Sequence, residues 1–290
     1  MKIWLNGEIV PPERACLCVY DHGMLYGDGV FEGIRVYNGR VFQNRAHLDR
    51  LFDSARHIRL AVPYTKQELA EAMEQLIEAD DRQEGYIRLA VTRGAGTLGL
   101  SPFECPTPNV FIIVDDIALY PEEMYRNGMS VVVADTVRTS PRMLNPRVKS
   151  LNYLNNIMAK IEAIDAGVPE ALMLNESGEL AEATGDNIFT VKDGTLMTPP
   201  AEAGILLGIT RAVVMHLASK LDIPTVEQAM TLDQLYEVDE CFLTGTAAEV
   251  IAVTRVDERT IGDGAVGPVT LQLLQAFRGF IITDEEVPYP

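Results

Sequence analysis

The sequence predicts an α+β chain in two domains. Three observations carry that reading. A chain of 290 residues, 47% hydrophobic and 23% charged, can bury more than one core. Its first 117 residues pair hairpin signals with helices instead of alternating strand and helix. A polar break at 118–128, with Pro121, Glu122, Glu123 and Asn127-Gly128, then separates apolar strands on either side. The expected division is a small N-terminal domain over 1–117, a linker over 118–128 and a larger domain over 129–290.

The elements follow in order. Ile3 to Leu5 and Glu8 to Val10 flank Asn6-Gly7, a two-residue hairpin turn. A second hairpin turns at Asn38-Gly39, between Ile34–Tyr37 and Arg40–Phe42. Leu48, Leu51, Ala55 and Ile58 mark one stripe of a helix from His47, and Thr65-x-x-Glu68 is a capping box for another that runs to about Asp80. Tyr86 to Thr92, Val110 to Val114 and Met129 to Ala134 read as strands. Past these come a helix from Tyr153 to Ala166, stopped by Gly167 and Pro169, and a strand from Ala171 to Leu174. A hairpin turns at Asp193-Gly194 and a helix opens at Thr210. Strands at Cys241–Leu243 and Val250–Val253 precede a last helix over Val269–Phe280.

Charge and cysteines narrow the class. With 24 basic and 42 acidic residues the net charge is −18, which disfavours general binding to nucleic acid or to anionic membrane. A phosphate-bearing ligand then needs a local positive site. Cys16, Cys18, Cys105 and Cys241 contain no C-x-x-C pair, and so few cysteines in a long chain fit a reducing compartment. Asn6 to Glu8 interrupt any apolar signal segment, and no apolar run approaches the ~18 residues of a spanning helix. The expectation is a soluble cytoplasmic protein that binds no metal: His22, His47, His57 and His216 have no ligand spacing and read as structural.

Lys149 is the most informative residue. It sits in Arg147-Val148-Lys149-Ser150-Leu151-Asn152-Tyr153-Leu154-Asn155-Asn156, a stretch of apolar and amide residues without a carboxylate. Desolvation in such surroundings disfavours an ammonium and leaves a nucleophilic amine, the group that pyridoxal-phosphate chemistry requires. Gly94-Ala95-Gly96-Thr97-Leu98-Gly99 matches G-x-G-x-x-G, but Pro102, Pro106 and Pro108 leave no room for the helix that a dinucleotide site needs. It reads as a glycine-rich active-site loop. Gly204 to Gly208 run into a helix capped by Thr210, a ready anion site, and Gly245-Thr246-Ala247 is a small-residue turn able to offer backbone N–H groups. Acidic residues crowd what reads as a loop from Glu179 to Asn187; one of them could keep a pyridine nitrogen protonated.

These segments, with Tyr26-Gly27-Asp28-Gly29-Val30-Phe31-Glu32-Gly33-Ile34-Arg35, Tyr86-Ile87-Arg88, Gly185-Asp186-Asn187-Ile188-Phe189 and Gly245-Thr246-Ala247-Ala248-Glu249, resemble the branched-chain amino acid aminotransferases of the class-IV, fold-type IV pyridoxal-phosphate family. The resemblance implies a two-domain fold with the cofactor, pyridoxal 5′-phosphate, between the domains, and a homodimer or higher homo-oligomer. It implies transfer of the amino group of L-leucine, L-isoleucine or L-valine to 2-oxoglutarate in a ping-pong cycle, so the partners are small amino and 2-oxo acids. Lys149 would carry the cofactor and shuttle the proton between Cα and C4′. Tyr153 would hydrogen-bond the ring hydroxyl, Glu182 would pair with the ring nitrogen, and Leu206 would pack on the ring. Arg50 would bind the phosphate, completed by Ile209, Thr210 and Thr246. The backbone at Thr246 and Ala247, with Tyr86, would hold the α-carboxylate. Tyr26, Phe31, Gly33 and Tyr120 would line the side-chain pocket. Leu98 and Leu100 would enter the neighbouring subunit's pocket. Arg88 and Arg35 are the candidate partners of a distal carboxylate.

Related activities on the same fold are D-amino acid and (R)-amine aminotransferases and aminodeoxychorismate lyases. Glu32-Gly33-Ile34-Arg35 and Gly245-Thr246-Ala247-Ala248-Glu249 favour the branched-chain assignment. A non-catalytic protein on this fold would lack Lys149, which is present.

Overall fold

The computed structural model describes residues 2–117, 120–283 and 285–290. Positions 118 and 119 of the expected linker lie outside them. The chain divides into two compact units, one of Met1–Ile117 with Val148–Asn152 and Tyr289, the other of Ala118–Arg147 with Tyr153–Pro288 and Pro290. The Lys149 segment therefore belongs with the first unit.

The first unit contains β1 (Ile3–Leu5), β2 (Glu8–Val10), α1 (His22–Tyr26), β3 (Gly29–Tyr37), β4 (Arg40–Val41), α2 (Asn44–His57), α3 (Lys66–Ala79), β5 (Gly85–Thr92) and β6 (Asn109–Asp115). Its six strands form one antiparallel sheet in the order β2-β1-β6-β5-β3-β4. Both hairpin turns adopt the predicted geometry, with φ of 49° and 99° at Asn6-Gly7 and 50° and 73° at Asn38-Gly39. The Thr65 capping box forms, Thr65 accepting from the Glu68 N–H while Glu68 accepts from the Thr65 N–H. Period-two alternation sends Val30, Ile34 and Val36 of β3 and Ile87, Leu89 and Val91 of β5 into a core with Leu48, Leu51, Leu69, Met73 and Leu76 of the two helices. At roughly 25 cal/mol per Å² of buried apolar surface, this contiguous core dominates the unit's stability. The alternate positions, Phe31, Gly33 and Arg35 on β3 and Tyr86, Arg88 and Ala90 on β5, share the opposite face. One element was not expected: Asp21-His22-Gly23 is the start of α1, with Asp21 capping the Gly23 N–H at 2.7 Å.

The second unit contains α4 (Glu122–Asn127), β7 (Met129–Val133), α5 (Leu154–Asp165), β8 (Glu170–Leu174), β9 (Leu180–Ala183), β10 (Asn187–Lys192), β11 (Thr195–Thr198), α6 (Ile209–Lys220), β12 (Thr225–Glu227), α7 (Leu232–Leu235), β13 (Glu240–Gly245), β14 (Glu249–Val256), β15 (Arg259–Thr260) and α8 (Pro268–Phe280). Nine strands make one mixed sheet, in the order β12-β11-β10-β13-β14-β7-β8-β9 with β15 on β14. The β14–β7, β7–β8 and β11–β12 pairs are parallel. The stretch read as an acidic loop is in part strand β9, held antiparallel to β8 with Glu182 opposite Met173. Among the described residues no helix is long and apolar enough to cross a membrane.

Candidate active site

In the first unit the Lys149 segment is tied to β3 by backbone: the Phe31 N–H donates to the Lys149 carbonyl at 3.0 Å and the Leu151 N–H to the Gly29 carbonyl at 2.9 Å. Ser54 of α2 accepts the Lys149 N–H at 3.1 Å. Asn152 donates to the Gly27 carbonyl at 2.7 Å, beside a left-handed Gly27 (φ 69°) that ends α1. The half-buried Lys149 amine lies over the Phe31 ring, 4.7 Å from its centroid. Arg88 lies over the same ring at 4.3 Å and near Tyr86 at 5.7 Å. Gly33 is required here, because a Cβ would stand 1.9 Å from the Tyr86 hydroxyl. Lys149, Phe31, Arg88, Tyr86 and Gly33 thus come together on one face. Arg35 is on that face too, buried, with Nη2 donating to Glu84 at 3.3 Å and with Nε and Nη1 lacking a hydrogen-bond partner among the described residues.

Arg50 is on the core side of the sheet. Its Nε and Nη2 donate to both oxygens of Glu32, at 2.8 and 2.7 Å, and His47 Nδ1 lies 2.7 Å from Glu32 Oε2. All three side chains are buried. Burial alone would raise the Glu32 carboxyl, but the charge and hydrogen bonds of Arg50, then those of His47, outweigh it and hold the group at about 2. Burial lowers His47 despite Glu32, aided by the charges of Arg50 and Lys149. The ionised Glu32 can only accept, so the neutral ring donates from Nδ1. Sequence reasoning missed Glu32 and read His47 as structural. The signal was available: a carboxylate on the core face of β3, opposite a histidine and an arginine at i and i+3.

Tyr26, at the end of α1, donates its hydroxyl to the Leu98 carbonyl at 2.5 Å, and His22 Nε2 lies 2.8 Å from the Thr97 carbonyl. These contacts fix the glycine-rich loop. Leu98 and Leu100 are 68% and 79% exposed on it.

In the second unit Glu182 is buried on β9. Its Oε1 accepts from Arg138 Nε at 2.8 Å, and its Oε2 from the Leu206 N–H at 2.8 Å and Asn187 Nδ2 at 3.2 Å. Arg138 in turn reaches Asn155 and Asn156 of α5 at 3.3 Å each, and Asn156 donates to the Thr184 carbonyl at 2.8 Å. Arg138 sits in a polar stretch with no pattern to mark it, so sequence reasoning missed it. Tyr153 is the residue preceding α5. The N-cap of α6 is Gly208, not Thr210: Gly208 is extended (φ −69°, ψ 138°) and provides no side-chain cap, while Thr210 is already helical. Without a capping side chain, the first turn at Ile209 and Thr210 suits an anion. Thr246 and Ala247 form the turn between β13 and β14. Burial, followed by the charges of Asp186 and Glu170, raises the Tyr120 hydroxyl, which stays protonated at neutral pH.

Each unit carries groups chemically suited to a phosphorylated pyridine aldehyde. In the first, the Lys149 amine beside an aromatic ring suits an aldehyde and the Arg50 guanidinium suits a phosphate. In the second, the buried Glu182 carboxylate suits a protonated ring nitrogen and the uncapped start of α6 suits an anion.

The model for amino-transferase class IV matches residues 29–256. The branched-chain-amino-acid aminotransferase of Pseudomonas aeruginosa is 38% identical over 280 residues, covering 95% of this chain and 91% of that one. The crystal structure of the Escherichia coli branched-chain amino acid aminotransferase superposes with a TM-score of 0.94 at 37% identity, over 97% of this chain and 94% of that one. The branched-chain aminotransferase from the thermophilic archaeon Thermoproteus uzoniensis, solved with norvaline, gives 0.91 at 37% identity, over 99% and 96%. A further branched-chain amino acid aminotransferase, complexed with N-(5'-phosphopyridoxyl)-L-glutamate, gives 0.91 at 35% identity, over 97% and 93%. With the matched region spanning both Lys149 and Glu182, the chain belongs to the class IV aminotransferases.

Proposed function

We propose that this chain transfers the amino group of L-leucine, L-isoleucine or L-valine to 2-oxoglutarate in two alternating half-reactions, using pyridoxal 5′-phosphate. The observation that carries the reading is the Phe31 face. An amine and a guanidinium lie over one apolar ring on a chain similar over nearly its full length to branched-chain aminotransferases. When bound, the cofactor supplies an electron sink that makes the Cα–H bond labile. Lys149 removes that proton and returns it on the cofactor side. Glu182 holds a proton on the ring nitrogen, Tyr153 hydrogen-bonds the ring hydroxyl, and Leu206 packs on the ring. Arg50, the first turn of α6 at Ile209 and Thr210, and Thr246 bind the phosphate. The N–H groups at Thr246 and Ala247, with the Tyr86 hydroxyl, bind the α-carboxylate. Phe31, Gly33, Tyr26 and Tyr120 line the side-chain pocket. A panel of L-amino, D-amino and (R)-amine donors with 2-oxoglutarate, run beside aminodeoxychorismate, tests the reading. Turnover confined to D-donors, (R)-amines or the lyase substrate overturns it.

One pocket must take an aliphatic side chain and, in the other half-reaction, a distal carboxylate. Burying that charge unpaired is costly. Arg88 can rest on Phe31 for the first and bind bidentately for the second. Arg35, with Nε and Nη1 unpartnered among the described residues, stands on the same face. Arg88→Met is expected to weaken 2-oxoglutarate and glutamate by about 10²-fold in kcat/KM, roughly the value of a lost charged hydrogen-bonded pair, and leucine far less. Equal losses for both in half-reaction kinetics mean that Arg88 serves the shared α-carboxylate or the fold.

The working assembly is cytoplasmic and at least a homodimer. Leu98, Leu100, Met24 and Phe103 are each at least 68% exposed in the first unit, and so many exposed apolar side chains need a partner. A dilution series followed by ultracentrifugation and assay is expected to lose specific activity as monomer appears. A verified monomer with full activity excludes the dimer requirement.

A further inference from the structure

We infer that Glu32, locked by His47, is a positioning residue that aims the Arg50 guanidinium at the cofactor phosphate; this rests on the assignment of Arg50 to the phosphate. Glu32 is fully buried on β3, between Val30 and Ile34 on the core face. Arg50 and His47 lie on α2 beside Leu48 and Leu51, in the same apolar surroundings. A buried ion pair such as Glu32 with Arg50 is a poor way to stabilise a fold. Buried ion pairs replaced by apolar side chains of similar volume are often neutral or stabilising. What the pair does provide is direction. Two hydrogen bonds from Nε and Nη2 to one carboxylate set the plane and heading of the guanidinium before any ligand arrives. His47 Nδ1 on Glu32 Oε2 holds the carboxylate itself. A preset cation loses no rotamer freedom on binding an anion.

This makes an unusual prediction of sign. If Arg50 acted only as a point charge, removing the negative charge of Glu32 would strengthen phosphate binding. If Glu32 positions Arg50, removing it weakens phosphate binding. The test is equilibrium titration of cofactor-free protein with pyridoxal 5′-phosphate and, separately, with pyridoxal, which lacks the phosphate. Glu32→Gln is expected to raise the Kd for pyridoxal phosphate by about tenfold or more while leaving pyridoxal within about twofold, the loss of one well-aimed charged contact. An unchanged or lowered Kd for pyridoxal phosphate overturns the inference, and so does an equal loss for both ligands, which marks a merely structural role. Should Glu32→Gln fail to fold, His47→Leu keeps the carboxylate and removes the donor that locks it; the same selective loss supports the inference and its absence overturns it. Arg50→Lys separates the two levels. If the lysine variant keeps the full preference for pyridoxal phosphate over pyridoxal, Arg50 is not the phosphate ligand. If it loses the preference and Glu32→Gln does not, only the positioning role fails.

Discussion

Lys149→Ala is expected to abolish turnover in both half-reactions without disturbing the fold. The segment is held by its backbone, through Phe31, Gly29 and Ser54, so the side chain can be removed while the frame stays. Two functions disappear together: the amine that carries the cofactor and the base that moves the Cα proton. Loss of a positioned general base alone typically removes about 10²–10⁴-fold, about 3–5 kcal/mol of barrier, and loss of the carrying amine comes on top. Steady-state assay with leucine and 2-oxoglutarate measures the loss. Borohydride reduction of the native holoenzyme followed by peptide mapping identifies the carrier independently. A pyridoxyl tag on Lys149 is expected; a tag on Lys160 or Lys192 sinks the assignment.

The second large effect belongs to Glu182. Glu182→Gln should still bind cofactor but slow the chemical step by orders of magnitude, because a neutral amide no longer favours a protonated ring nitrogen. The structure adds a complication of known sign. Glu182 is the counter-charge of buried Arg138, and breaking a buried pair from one side costs about 3–5 kcal/mol of stability. Activity must therefore be compared under conditions where thermal unfolding shows the variant folded. Removing both charges, with Glu182→Gln and Arg138→Gln, should recover part of the stability and none of the rate. A single Gln variant with near-normal turnover moves the role to Glu179 or Asp186.

Local chemistry made much of the fold legible. Asn6-Gly7, Asn38-Gly39 and Asp193-Gly194 all need positive φ, and all three turns occur where expected. The Thr65 capping box and the alternation that puts Tyr86 and Arg88 on one face were equally readable. The missed elements have tertiary causes. Helix α1 has five residues, too few to show a period. The Leu-Ala-Glu-Ala of β9 has no β-branched residue and becomes a strand by pairing with β8. Thr210 carries a capping side chain, yet Gly208 takes the extended conformation two residues earlier and the helix starts there. In the candidate site, residues that would touch cofactor or substrate lay in short motifs. Those that hold them form two separate sets, Glu32 with His47 and Arg138 with Asn156, and in each the partners are brought together only by folding.

If one pocket passes nitrogen from a branched-chain amino acid to a dicarboxylic oxo acid, the label must follow it. The direct measurement incubates the holoenzyme with unlabelled 2-oxoglutarate and ¹⁵N-labelled L-leucine or, separately, ¹⁵N-labelled D-leucine, with products read by mass spectrometry. ¹⁵N-glutamate and 4-methyl-2-oxopentanoate are expected from L-leucine in equal amounts, with no labelled ammonia. Label appearing as ammonia, or reaching glutamate only from D-leucine, would contradict the proposed transfer.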